Sequence, residues 1–97
     1  MNWEWIPVKD IVRFRRIELG LSVGDLAQAV GIRTAEFVSM IESGHRPIDP
    51  HRAPIFAEAL KLDTLGFCLC VLFEGYPTFY HAVFGAEEPS RPRPLGQ

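Results

Sequence analysis

The side chains of this 97-residue chain that could do chemistry are three histidines, two cysteines and a scatter of arginines and carboxylates. His45, His51 and His81 stand in no recognisable constellation with a nucleophile and an acid. No glycine-rich phosphate loop is present either, so catalysis finds no support. Cys68 and Cys70 with His81 are a thin basis for a metal site. Structural zinc sites space paired cysteines by about two to four residues and take four ligands, whereas a buried free cysteine is an ordinary core residue. Residues two apart on a helix do not face each other, which argues against a disulfide between the two thiols. That cysteine usage fits a reducing cytosol. The chemistry left is that of binding, and it calls for no cofactor and no metal.

The elements that would position such a binding surface are written most clearly from Arg16 to Gly31. Gly20 stops one helix and Ser22 starts the next. Asp25 stands three residues on, where a capping-box acid can reach back. Leu26 and Ala27 are spaced to pack against a third helix that opens just after Gly31. This is the pattern of a helix-turn-helix, which sets a short helix where it can enter the major groove of DNA. Helical spacing and breakers predict a first helix from Val8 to Leu19, a second from Val23 to Val30 and a third from Thr34 to Glu42. A proline-broken loop over 45–50 leads to a fourth helix that begins between Asp49 and Pro54 and ends near Leu62. A fifth runs from Asp63 or Thr64 to Glu74, and a short last one from Thr78 to Phe84 with Pro77 in its first turn. The predicted organisation is an N-terminal arm over 1–7 carrying Trp3 and Trp5, a domain over 8–75, a helical extension over 76–85, and a disordered tail over 86–97. On the first helix Val8, Val12 and Leu19 form one apolar face, while Ile11, Phe14 and Ile17 extend a second. Arg13 and Arg15 read equally well as phosphate contacts or as solvated side chains.

The stretch from Val12 to about Gly75 resembles the Cro/repressor-type helix-turn-helix family of phage and bacterial regulators, often called the XRE family. The matching pieces are Arg16-Ile-Glu-Leu-Gly-Leu-Ser, then Leu26-Ala27, Gly31, Val38-Ser-Met-Ile-Glu-Ser-Gly44, and Ala59-Leu60 with Leu62-Asp63. The resemblance implies an all-α, five-helix repressor-like DNA-binding domain, here with a short extra C-terminal helix. It implies an ion pair between Arg16 and Glu42 clamping the first helix onto the third, which also answers the rule that buried charge is paired. It implies base contacts from Arg33, Thr34, Ala35 and Glu36, with Ser39 and Met40 one turn further along. Arg33 would suit guanine, Glu36 a cytosine amine and Ala35 a thymine methyl. Ser22, Ser43, His45 and Arg46 would hold the DNA backbone. This chain departs from the family's pattern in carrying Val23 where a glutamine is common, and in spacing Gly31 and Glu42 one residue further apart.

Net charge is −2, yet Val8 to Arg52 holds seven basic residues against six acidic ones, so the acidic excess lies outside the candidate DNA-binding part. No signal sequence opens the chain, and its longest apolar run, Leu65 to Phe73, is about half of the ~20 residues a membrane helix needs. These features predict a soluble cytoplasmic protein, bacterial or phage-encoded. The apolar run and the segment after it are too hydrophobic for a lid on a five-helix core. Such patches mark partner surfaces. The expectation is a homodimer through Phe67, Leu69, Val71, Leu72, Phe73, Tyr76, Phe79, Tyr80 and Phe84. In the competing reading the last helix and the tryptophans cover the second face of the first helix. The same surface would suit a second protein, as in an antitoxin or an interaction adaptor.

Overall fold

The computed structural model describes residues 6–96, which form six helices and one isolated antiparallel bridge. The helices are α1 (Val8–Glu18), α2 (Val23–Ala29), α3 (Ala35–Glu42), α4 (Ala53–Ala59), α5 (Thr64–Gly75) and α6 (Pro77–Phe84). The all-α class with a short sixth helix holds. The expectations for Trp3 and Trp5 lie outside the described residues.

Helix α1 turns Val8, Ile11, Val12 and Arg15 inward, the i, i+3, i+4, i+7 stripe of an amphipathic helix. The apolar part of this stripe joins one core with Leu26 and Ala27 of α2, Val38 and Ile41 of α3, Phe56 of α4, and Phe67 and Cys70 of α5. The two apolar faces expected of the first helix resolve into this single one. Among the described residues Phe14 is half-buried and Ile17 is 55% exposed, so neither α6 nor the tail forms a second layer on that side.

Four of the six helices stop by one repeated device. After α1, Gly20 adopts φ +73°, Gly20 N–H donates to Ile17 O and Leu21 N–H to Arg16 O, each at 3.0 Å. This Schellman closure needs a left-handed residue, which glycine supplies without strain. The same pair of bonds closes α2 at Gly31, α3 at Gly44 and α4 at Lys61. Lys61, at φ 53°, is the one non-glycine with positive φ among the described residues.

Arg15 is neither a phosphate contact nor solvated, because it is 3% exposed. Its Nε donates to Leu60 O at 2.8 Å and its Nη2 to Lys61 O at 3.3 Å, while Nη1 pairs with Glu18 at 3.2 Å. Leu60 caps α4 and Lys61 follows it, where helix carbonyls run out of intrahelical donors. The guanidinium supplies those donors and ties α1 to α4. Arg13, two residues away, is exposed.

The expectation of a disordered tail fails for residues 86–96. Asp63 N–H donates to Arg93 O at 2.8 Å and Leu95 N–H to Lys61 O at 2.7 Å, around a bridge between Leu62 and Pro94. Tyr80 Oη donates to Glu87 O at 2.8 Å, and Pro92 is fully buried. Arg91 lies against α5, 3.3 Å from Cys70 Sγ and 3.8 Å from Glu74, with Glu88 at 3.0 Å. The composition that suggested disorder explains the docking. Prolines have little backbone freedom to lose and no N–H to satisfy.

Three of the residues assigned to a dimer surface are used inside the protomer. Phe67 and Val71 belong to the core, and Tyr80 is 4% exposed beneath the tail, edge-on to Phe73 at 5.1 Å. Helix propensity alone does not reveal which residues of an all-apolar helix face inward. Leu69, Leu72, Phe73 and Tyr76 are half-buried, whereas Phe79 and Phe84 are exposed together with Leu65 and Val83.

Candidate nucleic-acid interface

The helix-turn-helix is assembled from α2, the turn at Gly31 and α3. Ser22 caps α2 through a reciprocal box: Asp25 N–H donates to Ser22 Oγ, and Ser22 N–H donates to Asp25 Oδ2, both at 2.9 Å. The bond from the Ser22 backbone holds the Asp25 carboxyl below the usual carboxylate range. Ser22 is exposed, as a backbone contact must be, but its N–H and the positive end of α2 already face an acid.

Helix α3 follows Thr34 and buries Val38 and Ile41. Its opposite side carries Glu36, Ser39 and Ser43, all exposed and spaced i, i+3, i+7 along one line. Arg33 and Thr34 stand exposed at its start, while Ala35 and Met40 are half-buried at the edges of that line. The residues expected to read bases thus share the N-terminal end and outward side of one short helix.

That helix is held from behind. Arg16 Nε donates to Glu42 Oε2 at 2.7 Å and Nη2 to Glu42 Oε1 at 3.0 Å, a bidentate pair whose side chains are 13% and 8% exposed. Arg16 Nη1 also donates to Leu21 O at 2.8 Å, which fixes the turn before α2. The hydrogen bonds to Glu42 raise Arg16 above its ordinary pKa. Planar two-point pairing sets the angle between α1 and α3 as well as their separation.

Past α3, Ser43 Oγ donates to Met40 O at 3.1 Å and lies 2.7 Å from His45 Nδ1. Both are exposed, as is Arg46, whose guanidinium carbon sits 4.8 Å over the Phe37 ring. Phe37 is only half-buried and serves as a platform for that guanidinium.

Other chemistries find little to work with. Cys68 and Cys70 are free thiols, and burial pushes both above the ordinary thiol range. Among the described residues no three His, Cys, Asp or Glu side chains converge as a metal would require. No helix among them is long and apolar enough to cross a membrane.

Comparison with known families finds a match to helix-turn-helix over residues 12–67, more than half of the chain. The match opens within α1 and closes in α5, so it covers α2, α3 and the clamp behind them. No curated protein and no solved structure matches the chain. A recognition helix with an exposed polar edge, a bidentate brace behind it and a family match across both lead to one conclusion: the chain belongs to the helix-turn-helix family of Cro/repressor (XRE) type and is a DNA-binding regulator.

Proposed function

We propose that this protein is a sequence-specific transcriptional repressor that binds an inverted-repeat operator as a homodimer, with one α3 in the major groove of each half-site. The observation that carries this reading is the outward side of α3. It presents Arg33, Thr34, Glu36 and Ser39 to solvent on a helix braced by Arg16 and Glu42. Arg33 suits the two acceptors of guanine, Glu36 the amine of cytosine, and the methyl of Ala35 the methyl of thymine, with Ser39 and Met40 touching the next step. Ser43, His45 and Arg46 would then grip the backbone and set the register, and Ser22 would do so from the start of α2. A repressor needs only to occupy its site, which suits a small helical domain.

Selection of bound duplexes from a randomised pool tests this directly. The expected outcome is a palindromic consensus, which Arg33→Ala relaxes at one position per half-site while Arg46→Ala weakens all sequences evenly. Recovery of an unbiased pool at moderate salt would overturn the proposal. The exposed apolar residues of α6 favour one second reading, in which a protein partner such as a toxin docks there. Selection of no DNA consensus, together with a stable one-to-one complex with a neighbouring gene's product, would favour that reading instead.

A further inference from the structure

The ten basic side chains of the chain divide by partner. Arg15, Arg16 and Arg91 pair with carboxylates within the fold. Arg33, Arg46 and Arg52 are exposed and make no ion pair among the described residues, yet they gather around one ring. Phe37 shares one surface depression with Arg46 and Arg52, and an adjoining one with Arg33 and Arg52. Arg46 is stacked on that ring, and Arg52 Nη1 reaches Val30 O at 3.4 Å. Two carboxylates stand close by. Asp49 borders the first depression but accepts from His51 N–H at 2.9 Å through Oδ1, and Glu36 lies on the outward line of α3. Even with Asp49 beside them, three exposed guanidiniums leave a local excess of positive charge, and that excess attracts an anion.

We propose that Arg52, with Arg46, forms a track that takes successive phosphates of one DNA strand along the α4 side of α3, leaving Arg33 to its base. Phe37 is its positioning residue. Its ring holds the Arg46 guanidinium in a fixed plane, as cation–π stacking does at partly exposed sites. The planar fork of each arginine can then meet two phosphate oxygens. The inference rests on the DNA-binding reading above and adds Arg52, the residue before α4, which shares its surface depressions with Phe37 of α3.

The test is the salt dependence of binding to a labelled mixed-sequence duplex of about 20 base pairs, where each phosphate contact contributes about 0.9 to the slope of log K against log salt concentration. Arg52→Ala should lower that slope by about one and weaken binding about tenfold near 0.1 M salt, while Arg52→Lys keeps most of the slope. Arg93→Ala removes the same charge from the tail and should leave the slope unchanged. Phe37→Leu keeps an apolar side chain beneath Arg46 but removes the ring. In that background Arg46→Ala should change the slope by clearly less than it does in the wild type. An Arg52→Ala slope equal to wild type, or equal falls for Arg52→Ala and Arg93→Ala, would overturn the track while leaving DNA binding intact. A wild-type protein with no measurable affinity for duplex would instead take down the reading on which the track rests.

Discussion

At the scale of single residues, Arg13 and Arg15 of α1 show how partners decide roles. Arg15 donates to carbonyls 45 and 46 residues away, at the end of α4, and is almost wholly buried, while Arg13 is in solvent. Helical period places Arg15 and not Arg13 on the stripe of Val8, Ile11 and Val12, but the decisive partners are backbone atoms with no sequence signature. Arg15→Leu should cost about 3 kcal/mol, the order expected when two carbonyls lose charged donors. Arg13→Ala should stay within about 0.5 kcal/mol of wild type, as exposed substitutions do. Urea midpoints with unchanged slopes would measure both, and equal effects would sink the distinction. Glu74 offers a pH counterpart. Its carboxylate accepts the Val8 N–H at 3.0 and 3.1 Å, and burial, set against that bond and Arg91, raises its pKa above the usual range. The folded chain therefore holds this proton more tightly than the unfolded one. The stability that comes with it is complete below the ordinary carboxylate pKa and is lost as pH rises through the folded value. Glu74→Gln keeps an acceptor for Val8 and has no charge to desolvate. Relative to wild type it should gain stability as pH rises above the ordinary carboxylate pKa. Parallel stability curves for the two proteins would contradict this.

At the scale of elements, what was legible in the sequence was local and what was missed was not. Gly20, Ser22, Gly31 and Asp63 mark helix ends through bonds within a few residues, so the order of helices can be read from them. The same holds for the outward side of α3, which follows from its period once the helix is placed. The docked tail could not be read this way, because its partners are the ends of α4 and α5. One sequence signal was available, Gly66 inside an otherwise apolar helix, which marks a close approach. A Cβ at Gly66 would fall 2.7 Å from Asp63 Oδ2 and 3.1 Å from Pro92 Cα. The first contact would strain the cap of α5, where Asp63 Oδ2 accepts from Gly66 N–H at 2.8 Å, and the second involves backbone that must shift. Alanine favours a helix over glycine by about 1 kcal/mol, but this overlap should reverse the sign, giving a net loss of roughly 1–2 kcal/mol. Hydrogen exchange should quicken at the Asp63 and Leu95 amides, which bond to Arg93 and Lys61. A more stable Gly66→Ala protein with unchanged exchange would show that the tail does not press on α5.

At the scale of the whole molecule, α6 is the element that the protomer leaves unfinished. Only Tyr80 is buried, while Phe79 and Val83, four residues apart on one side of the helix, are each 56% exposed and Phe84 is 48% exposed. A helix that is apolar on its outer side finds a partner or stays a liability. In the proposed homodimer two such stripes cover each other, and two α3 helices are presented together to the half-sites of an inverted repeat. Phe79→Glu with Val83→Glu tests this without touching the core, since both side chains already face solvent. Sedimentation of the wild type at micromolar concentration should give twice the chain mass, and the variant should sediment at the chain mass with unchanged helicity. Affinity for an isolated half-site should be the same in both proteins. Affinity for the full repeat should fall in the variant by about 10²–10⁴, because the second half-site is no longer bound from within one complex. A wild type that is monomeric at tens of micromolar, or a variant that still dimerises, would place the dimer contact elsewhere or remove it. In either case the α6 surface would be left to a different protein.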